Sequence, residues 1–352
     1  MKADFTKYLM KWNEKQNLRS MPWKNEKDPY RIWLSEIILQ QTRVEQGWAY
    51  YEKFIHEFPT IEDLARASEK KVFKNWEGLG YYTRCRNLIA TAKRIVKEYH
   101  GRFPSDYNTI LGLKGIGSYT AAAIASFAFD LSYPVVDGNV QRVLARYFGI
   151  TTSFDSASTK KMYYQLAQAL LDKSQPGKYN QAIMDFGAMI CKPKKPQCEV
   201  CPLNKDCMSY KKGWVSLLPV AKKKPRKKTR WLLFYLIETN EGQVYIRQRN
   251  EKDIWKNLYE FPLHEFKVPF PENHTDISLG TKNFLGGHPF SAGNISKLYK
   301  QELTHQTIYS RFFPIRINKP FSGLDGYFLV SKKLINSFPF PRLINQYLVD
   351  AG

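Results

Sequence analysis

The sequence predicts two domains, an all-helical domain followed by a smaller, β-rich α+β domain. At 352 residues the chain is longer than a single core of ordinary size requires. Up to about residue 212, apolar residues recur three and four positions apart, as they do on amphipathic helices. After residue 230, short apolar runs separated by turn residues are typical of β-strands. The predicted domains are therefore residues 1–212 and 231–352.

The predicted helices of the first domain share this spacing and are RIWLSEIILQQT, TIEDLARASEKKVFKNW, RNLIATAKRIVKEY, GNVQRVLARYFG and TKKMYYQLAQALL. Residues 213–230 are predicted to be a basic linker, because VAKKKPRKKTR is dense in charge and has little to bury. A basic linker can also lie along a phosphate backbone. In the second domain, WLLFYLIET and GQVYIRQR are predicted to pair as strands. TIYSRFFPIRI and GYFLVS predict further strands, and RLINQYLV predicts a helix.

The net charge favours a polyanionic partner. The chain has 54 Lys and Arg against 32 Asp and Glu, a formal charge of +22, which is more than solubility alone requires. Nucleic acid is therefore the expected partner. The first residues lack the apolar core of a secretory signal, and no stretch approaches the roughly 18–20 apolar residues of a membrane span. We expect a cytoplasmic protein with no membrane partner.

Four of the five cysteines form a cluster in the sequence, with the spacing Cys191-x6-Cys198-x2-Cys201-x5-Cys207. Four thiolates can hold a zinc ion or an iron–sulfur cluster. Zinc sites typically use two close pairs, whereas this spacing has one, so it favours the iron–sulfur cluster without excluding zinc. The fifth cysteine, Cys85, is predicted to be a buried small residue.

The stretch LKGIGSYTAAAI (113–124) combines a Gly-x-Gly turn, Gly115 and Gly117, with an alanine-rich helix. The first amides of a helix lack internal partners and lie at its positive end, so such turns bind phosphate. A dinucleotide-binding turn is a poor fit, because the third glycine is absent and no predicted strand precedes the turn.

The cysteine spacing and the hairpin together resemble the endonuclease III and MutY superfamily of DNA glycosylases. The resemblance implies an all-α helix–hairpin–helix glycosylase domain whose loop 191–207 carries a [4Fe–4S] cluster on Cys191, Cys198, Cys201 and Cys207. It also implies that Gly115, Gly117 and Lys114, which replaces the usual proline, hold the DNA backbone. The phosphate is then that of DNA.

Glu36 lies within the apolar helix WLSEIILQQT. A carboxyl group surrounded by apolar side chains has a raised pKa, which suits a general acid near neutral pH. The alternative interpretation is a solvated or paired helix carboxylate. The resemblance to the MutY branch implies that Glu36 protonates the departing adenine at N7.

Asp137 precedes a predicted helix, where it is expected to cap the helix and to be kept ionised by the helix dipole. The resemblance implies that Asp137 stabilises the oxocarbenium-like sugar and that Asn139 supports it. Tyr119 stands where endonuclease III relatives have a lysine that attacks the sugar. Because tyrosine cannot form a Schiff base, a monofunctional glycosylase is implied.

A base in a duplex must be flipped out before its glycosidic bond can be reached. The resemblance implies that Arg19, Trp23 and Gln181 line the adenine pocket, although Trp23 alone is typical of an ordinary core. It further implies that Gln41 and Tyr81 wedge into the duplex near the opposite base.

In the second domain, DIWKNLYEFPLHEF resembles the Leu-Trp-Glu-Phe-Pro element of the MutT-like (Nudix) domain of MutY enzymes. No Nudix box is present, so pyrophosphate hydrolysis is not expected. Leu303, Thr304 and His305 correspond to a Phe-Ser-His loop. The resemblance implies that Thr304 and His305 contact 8-oxoguanine.

The resulting expectation is a monofunctional DNA glycosylase of base excision repair. Its expected substrate is double-stranded DNA with adenine mispaired with 8-oxoguanine or guanine. It is expected to act as a monomer at the nucleoid of a bacterial cytoplasm. The alternatives are a bifunctional glycosylase and lyase acting on oxidised pyrimidines, and a non-catalytic iron–sulfur protein that binds DNA.

Overall fold

The computed structural model describes residues 2–154, 156–220, 227–270, 281–282, 284–320 and 323–351. The chain forms two compact units. The first unit comprises Met1–Arg66 and Arg86–Lys223, and the second comprises Ala67–Cys85 and Lys224–Gly352. Within the described ranges, no helix has the length and apolar character needed to cross a membrane.

The first unit is helical, as predicted. Its helices are α1 (Lys2–Lys15), α2 (Pro29–Leu39), α3 (Val44–Glu57), α4 (Ile61–Arg66), most of α6 (Thr83–Tyr99), α7 (Tyr107–Leu111), α8 (Ser118–Phe129), α9 (Gly138–Phe148), α10 (Ala157–Leu170), α11 (Pro176–Met189) and α12 (Met208–Lys211). The prediction of one helix over residues 60–76 was wrong. Helix α4 ends at Arg66, because Ser68 starts a new helix, α5 (Glu69–Trp76), by accepting a hydrogen bond from the Lys71 amide.

Helix α8 runs between α2 and α11 at the centre of the first unit. Glycine at position 177 of α11 allows the two helices to approach closely: a Cβ atom there would lie 2.6 Å from the Ser126 carbonyl oxygen. The buried Asn180 amide then ties α11 to this region, donating to the Ser126 hydroxyl (2.9 Å) and accepting from the Val135 amide (3.1 Å). These contacts hold α8 and the segment before α9 against α11.

The second unit is built on a mixed sheet. Its strands are β1 (Lys228–Thr239), β2 (Gln243–Gln248), β3 (Tyr259–Glu260), β4 (Leu263–Phe266), β5 (Ser291–Ala292), β6 (Tyr299–Glu302), β7 (Gln306–Ile317) and β8 (Phe328–Ser331). The path through the sheet is β3-β2-β1-β7-β5, with β4 beside β1, β6 beside β7 and β8 beside β2. The predicted pairing of β1 with β2 is confirmed. The C-terminal helix is confirmed as α13 (Arg342–Asp350).

The compact units differ from the predicted boundaries in two places. The segment Ala67–Cys85, predicted in the first domain, belongs to the second unit. There, Glu77 accepts a hydrogen bond from the Phe340 amide (2.7 Å), and the Lys74 ammonium donates to the Phe338 carbonyl (3.3 Å). In addition, β1 begins at Lys228, inside the range predicted as a linker.

Candidate active site

A cavity of about 620 Å³ opens in the first unit and is lined by α2, the starts of α8 and α9, α11 and the segment before α2. Eight residues predicted from the sequence line it: Arg19, Trp23, Glu36, Gln41, Tyr119, Asp137, Asn139 and Gln181. Residues that are far apart in the sequence of the helical domain therefore line a single cavity. The volume is within the range of small-molecule pockets.

Glu36 carries a buried carboxyl group in this cavity, and the residue is only 7% exposed. Helix α2 starts at Pro29, and Asp28 caps it by accepting a hydrogen bond from the Tyr30 amide (2.8 Å). Burial raises the pKa of Glu36 from its ordinary 4.5 to about 7; a hydrogen bond from Tyr119 opposes the rise, and the charge of Asp137 adds to it. The expected general-acid character of Glu36 thus has a physical cause, desolvation.

The raised pKa of Glu36 links folding to pH. The neutral carboxyl contributes stability below about pH 4.5, and that contribution is lost as pH rises through about 7. We therefore expect Glu36→Gln to be more stable than wild type at pH 8, by on the order of 3 kcal/mol, and to differ little at pH 4.5. Melting temperatures measured from pH 4.5 to 8 check this. Glu241→Gln, at an exposed position, is the control, and a pH-independent difference for Glu36→Gln would contradict the account.

Asp137 caps α9 as predicted. One carboxylate oxygen accepts from the Val140 amide and the other from the Asn139 side-chain amide, both at 2.7 Å. Burial raises the pKa of Asp137, whereas the two hydrogen bonds and the nearby Arg142 oppose the rise. These donors favour the charged form of Asp137, whereas burial of Glu36 is opposed by the Tyr119 hydrogen bond.

Tyr119 lies in the first turn of α8, and its hydroxyl hydrogen-bonds to Glu36 and lies 3.7 Å from the Met184 sulfur. Burial, together with the charges of Glu36 and Asp137, raises the pKa of this phenol well above its ordinary value. Tyr119 is consequently a neutral hydroxyl between the two carboxyl groups.

Asp185, which was not predicted from the sequence, is a fully buried acid next to the cavity wall. Its carboxylate binds Arg19 (2.8 Å) and accepts from the Gln181 amide nitrogen (3.0 Å). The sequence did contain one sign of it, since Gln181 and Asp185 are four residues apart on α11 and therefore share a face. Trp23 forms another part of the wall and packs edge-on against Tyr51, with ring centroids 5.4 Å apart.

The two residues predicted to wedge into DNA both have left-handed backbone conformations. The φ angle is +59° at Gln41, just after α2, and +48° at Tyr81, which belongs to the second unit. Such angles are uncommon outside glycine and concentrate at functional sites. Both side chains are exposed.

Within the second unit, the Tyr81 hydroxyl hydrogen-bonds to the Thr304 hydroxyl at 2.7 Å. His305 follows in the same loop between β6 and β7, and its carbonyl oxygen accepts from the Lys228 amide (3.0 Å). Thr304 and His305 are exposed. No pattern in the sequence predicts this contact between residues more than 200 positions apart.

The cysteines of loop 191–207 line one small cavity of about 30 Å³ together with Arg146. They are free thiols, and among the described residues there is no group of three or more His, Cys, Asp or Glu side chains arranged for a single metal ion. Burial raises the pKa of the Cys198 and Cys207 thiols, and that of Cys201 to about 12. Four soft sulfur donors round one space fit an iron–sulfur cluster, which keeps its thiolate ligands deprotonated.

Arg142 joins the cysteine loop to the cavity. Its guanidinium donates to the Asn139 side-chain oxygen (2.8 Å) and to the Cys191 carbonyl oxygen (2.7 Å). Asn139 in turn donates to Asp137. The position of the Asp137 carboxylate is therefore coupled to the fold of the loop.

The predicted hairpin is the turn between α7 and α8. Gly115 has φ +80°, and a Cβ atom there would lie 2.6 Å from the Asn87 side chain, so glycine is required. Gly117 caps α8, and Lys114 is exposed while its carbonyl oxygen accepts from the Thr91 hydroxyl (2.8 Å). The turn is thus hydrogen-bonded to the interior of the first unit, and its outer surface is exposed to solvent.

Comparisons with known proteins agree with this arrangement. The family model described as "HhH-GPD superfamily base excision DNA repair protein" matches residues 34–172, and that of the iron–sulfur binding domain of endonuclease III matches residues 191–207. The adenine DNA glycosylase of Buchnera aphidicola (subspecies Schizaphis graminum) is 37% identical over 267 residues, which are 75% of this chain and 76% of that protein.

The chain belongs to the adenine DNA glycosylase family.

Further members of the family extend the match. The adenine DNA glycosylase of another Buchnera aphidicola (subspecies Baizongia pistaciae) is 34% identical over 90% of this chain and 87% of its own length. Among solved structures, a thermostable thymine-DNA glycosylase superposes with a TM-score of 0.55 at 31% identity, covering 60% of this chain and 97% of that one. An endonuclease III–DNA complex, at 20% identity and a TM-score of 0.52, shows the same fold.

Family membership settles the enzyme class. The chain is a DNA glycosylase of base excision repair, a hydrolase of N-glycosyl bonds, with a helix–hairpin–helix domain. It carries an iron–sulfur cluster of the endonuclease III kind on loop 191–207. These predictions from the sequence are confirmed.

Proposed function

We propose that this enzyme removes adenine mispaired with 8-oxoguanine or guanine in double-stranded DNA, acting as a monomer. The name shared by its relatives supports adenine as the base. The single observation that carries the chemistry is Glu36, a carboxyl buried in a cavity of suitable size, with a pKa raised to about 7. Such a group holds a transferable proton near neutral pH.

In the proposed mechanism, adenine is flipped into the cavity between Trp23 and the polar side chains of Arg19 and Gln181. Glu36 donates its proton to adenine N7, and the bond between N9 and C1′ breaks with its electron pair leaving on the base. The sugar becomes oxocarbenium-like. Charge of this kind is best stabilised by groups that are already oriented.

Asp137 is the proposed anionic partner of that cation. Asn139 and the Val140 amide hold its carboxylate in place. The Tyr119 hydroxyl lies beside both carboxyl groups and is proposed to hydrogen-bond the intermediate. Water then adds to C1′ and loses a proton, leaving an abasic site and an intact strand.

The DNA is proposed to be held by the hairpin, with the amides after Gly115 and Gly117 and the exposed Lys114 against the backbone. Gln41 and Tyr81 are proposed to wedge into the duplex, and Thr304 and His305 to contact the opposite base. The second unit is proposed to be a MutT-like domain, which its mixed sheet supports. Cys191, Cys198, Cys201 and Cys207 hold the proposed [4Fe–4S] cluster, which cross-links the loop when bound.

The substrate assignment predicts how excision depends on the opposite base. Single-turnover rates on duplexes with adenine opposite 8-oxoguanine, guanine, cytosine or thymine should be highest for the first two. The reason is that a mispair is easier to open than a Watson–Crick pair and that the second unit reads the purine partner. Equal rates on the four duplexes would contradict the assignment.

The absence of strand cleavage is tested separately by borohydride trapping on the same duplexes. A hydroxyl at position 119 cannot form a Schiff base with the sugar, so no covalent adduct should accumulate. An endonuclease III with its own substrate serves as the positive control. A trapped adduct would favour the bifunctional alternative.

A further inference from the structure

Asp185 has no role in the steps above, yet it is a fully buried carboxylate surrounded by donors. One oxygen binds the Arg19 guanidinium (2.8 Å) and accepts from the Gln181 amide nitrogen (3.0 Å). The other accepts from the Asn17 amide (2.9 Å) and lies 3.3 Å from the Lys24 ammonium. A buried acid is stable only when paired and hydrogen-bonded in this way.

The contacts of Asp185 also hold the segment before α2 against α11. Lys24 also donates to the Arg19 carbonyl oxygen (2.7 Å), and Asn17 accepts from the Arg19 amide (3.2 Å). Arg19 and Gln181 line the cavity, but Asp185 does not. Asp185 therefore acts on a bound base through these two neighbours.

A carboxylate only accepts hydrogen bonds, so it fixes which end of the Gln181 amide faces it. The Gln181 amide nitrogen donates to Asp185, so the Gln181 carbonyl oxygen is directed away from that carboxylate. Across the part of the chain that the structure describes, no donor pairs with that oxygen. Gln181 consequently offers the cavity a hydrogen-bond acceptor.

An acceptor at this wall distinguishes purines by the group on C6. The exocyclic amine of adenine can donate to the Gln181 carbonyl oxygen. A 6-oxo group would instead face that oxygen with a second acceptor, and no hydrogen bond could form. A site built to hydrogen-bond one group rejects the analogue that lacks it, because a buried polar atom is left unpaired.

We propose that Asp185 is a positioning residue that holds Gln181 and Arg19 so that the cavity selects a 6-amino over a 6-oxo purine. This rests on the proposed excision of adenine. Asp185 makes the selection by fixing the orientation of one amide.

The test compares single-turnover excision of adenine and of hypoxanthine, each opposite 8-oxoguanine, by wild type and by Asp185→Asn. An asparagine can donate as well as accept, so the Gln181 amide is free to turn. The preference for adenine should fall by about tenfold or more. Comparing the two ratios cancels the intrinsic lability of each base, and a preference within about twofold of wild type would overturn the proposal.

The double variant Asp185→Asn with Gln181→Glu supplies a rescue. The introduced asparagine amide can donate to the introduced glutamate, whose second oxygen again offers an acceptor, and the net charge is unchanged. The preference for adenine should recover by about threefold or more over the single variant. A purely structural role for Asp185 predicts an equal loss on both bases and no recovery, and that result would overturn the proposal.

Two further variants serve as controls for nonspecific effects and for misfolding. Asp325→Asn, at an exposed position in the second unit, should keep both wild-type rates. If Asp185→Asn does not fold, Asp185→Glu keeps the charge but shifts the carboxylate by one methylene, and an unchanged preference there would also overturn the proposal. Failure of wild type to excise adenine would instead refute the proposed function.

Discussion

Replacing Glu36 with glutamine should lower single-turnover excision of adenine by roughly 10²–10⁴-fold near pH 7, the usual contribution of a positioned general acid. Glutamine has nearly the same size and fits the buried position on α2, but it has no acidic proton. Adenine would then leave as an unprotonated anion, a poor leaving group. Because the change lies inside the cavity, affinity for duplex DNA should stay within about threefold.

The design separates loss of chemistry from loss of binding. Excision is followed on a duplex with adenine opposite 8-oxoguanine, and binding is followed by fluorescence anisotropy on the same duplex. Glu45→Gln, on the exposed side of α3, is the matched control and should behave as wild type. Near-normal excision by Glu36→Gln would show that another group supplies the proton.

Replacing Asp137 with asparagine is expected to have the second-largest effect, a fall in excision of roughly 10²–10³-fold. Asparagine caps a helix about as well as aspartate, so α9 should keep its start and the Val140 amide its acceptor. What is lost is the negative charge that we propose stabilises the sugar cation. Single-turnover rates measure the loss, and melting temperatures show whether the fold is kept.

The control repeats the same substitution at another helix cap. Asp28 starts α2 by accepting from the Tyr30 amide and does not line the cavity. Asp28→Asn should therefore leave the excision rate unchanged. If Asp137→Asn retained most of its activity, Asp137 would be a helix cap with no part in stabilising the cation.

The sequence was a good guide to the site where local rules decide the structure. Capping residues begin α2 and α9, and a glycine turn begins α8, so Glu36, Tyr119 and Asp137 are placed by short-range chemistry. Helical packing then brings the three together. The cysteine spacing was equally informative, because a metal cluster constrains its ligands directly.

Contacts between distant positions were not predictable in this way. In the sequence, Asp185 is indistinguishable from an ordinary acid on a helix. Its role depends on the contact with Arg19, which is 166 positions away. The parallel pairing of β1 with β7 joins two strands that are separated in the sequence by residues 240–305. The grouping of Ala67–Cys85 with the C-terminal residues likewise depends on contacts such as that of Glu77 with Phe340.

The pH dependence of single-turnover excision tests the central claim most directly, namely that a buried Glu36 donates the proton. On a duplex with adenine opposite 8-oxoguanine, the wild-type rate should fall about tenfold for each pH unit above about 7, because only protonated Glu36 is active. The residual rate of Glu36→Gln should lack this break. A wild-type rate that stays constant or rises between pH 7 and 9 would contradict the account.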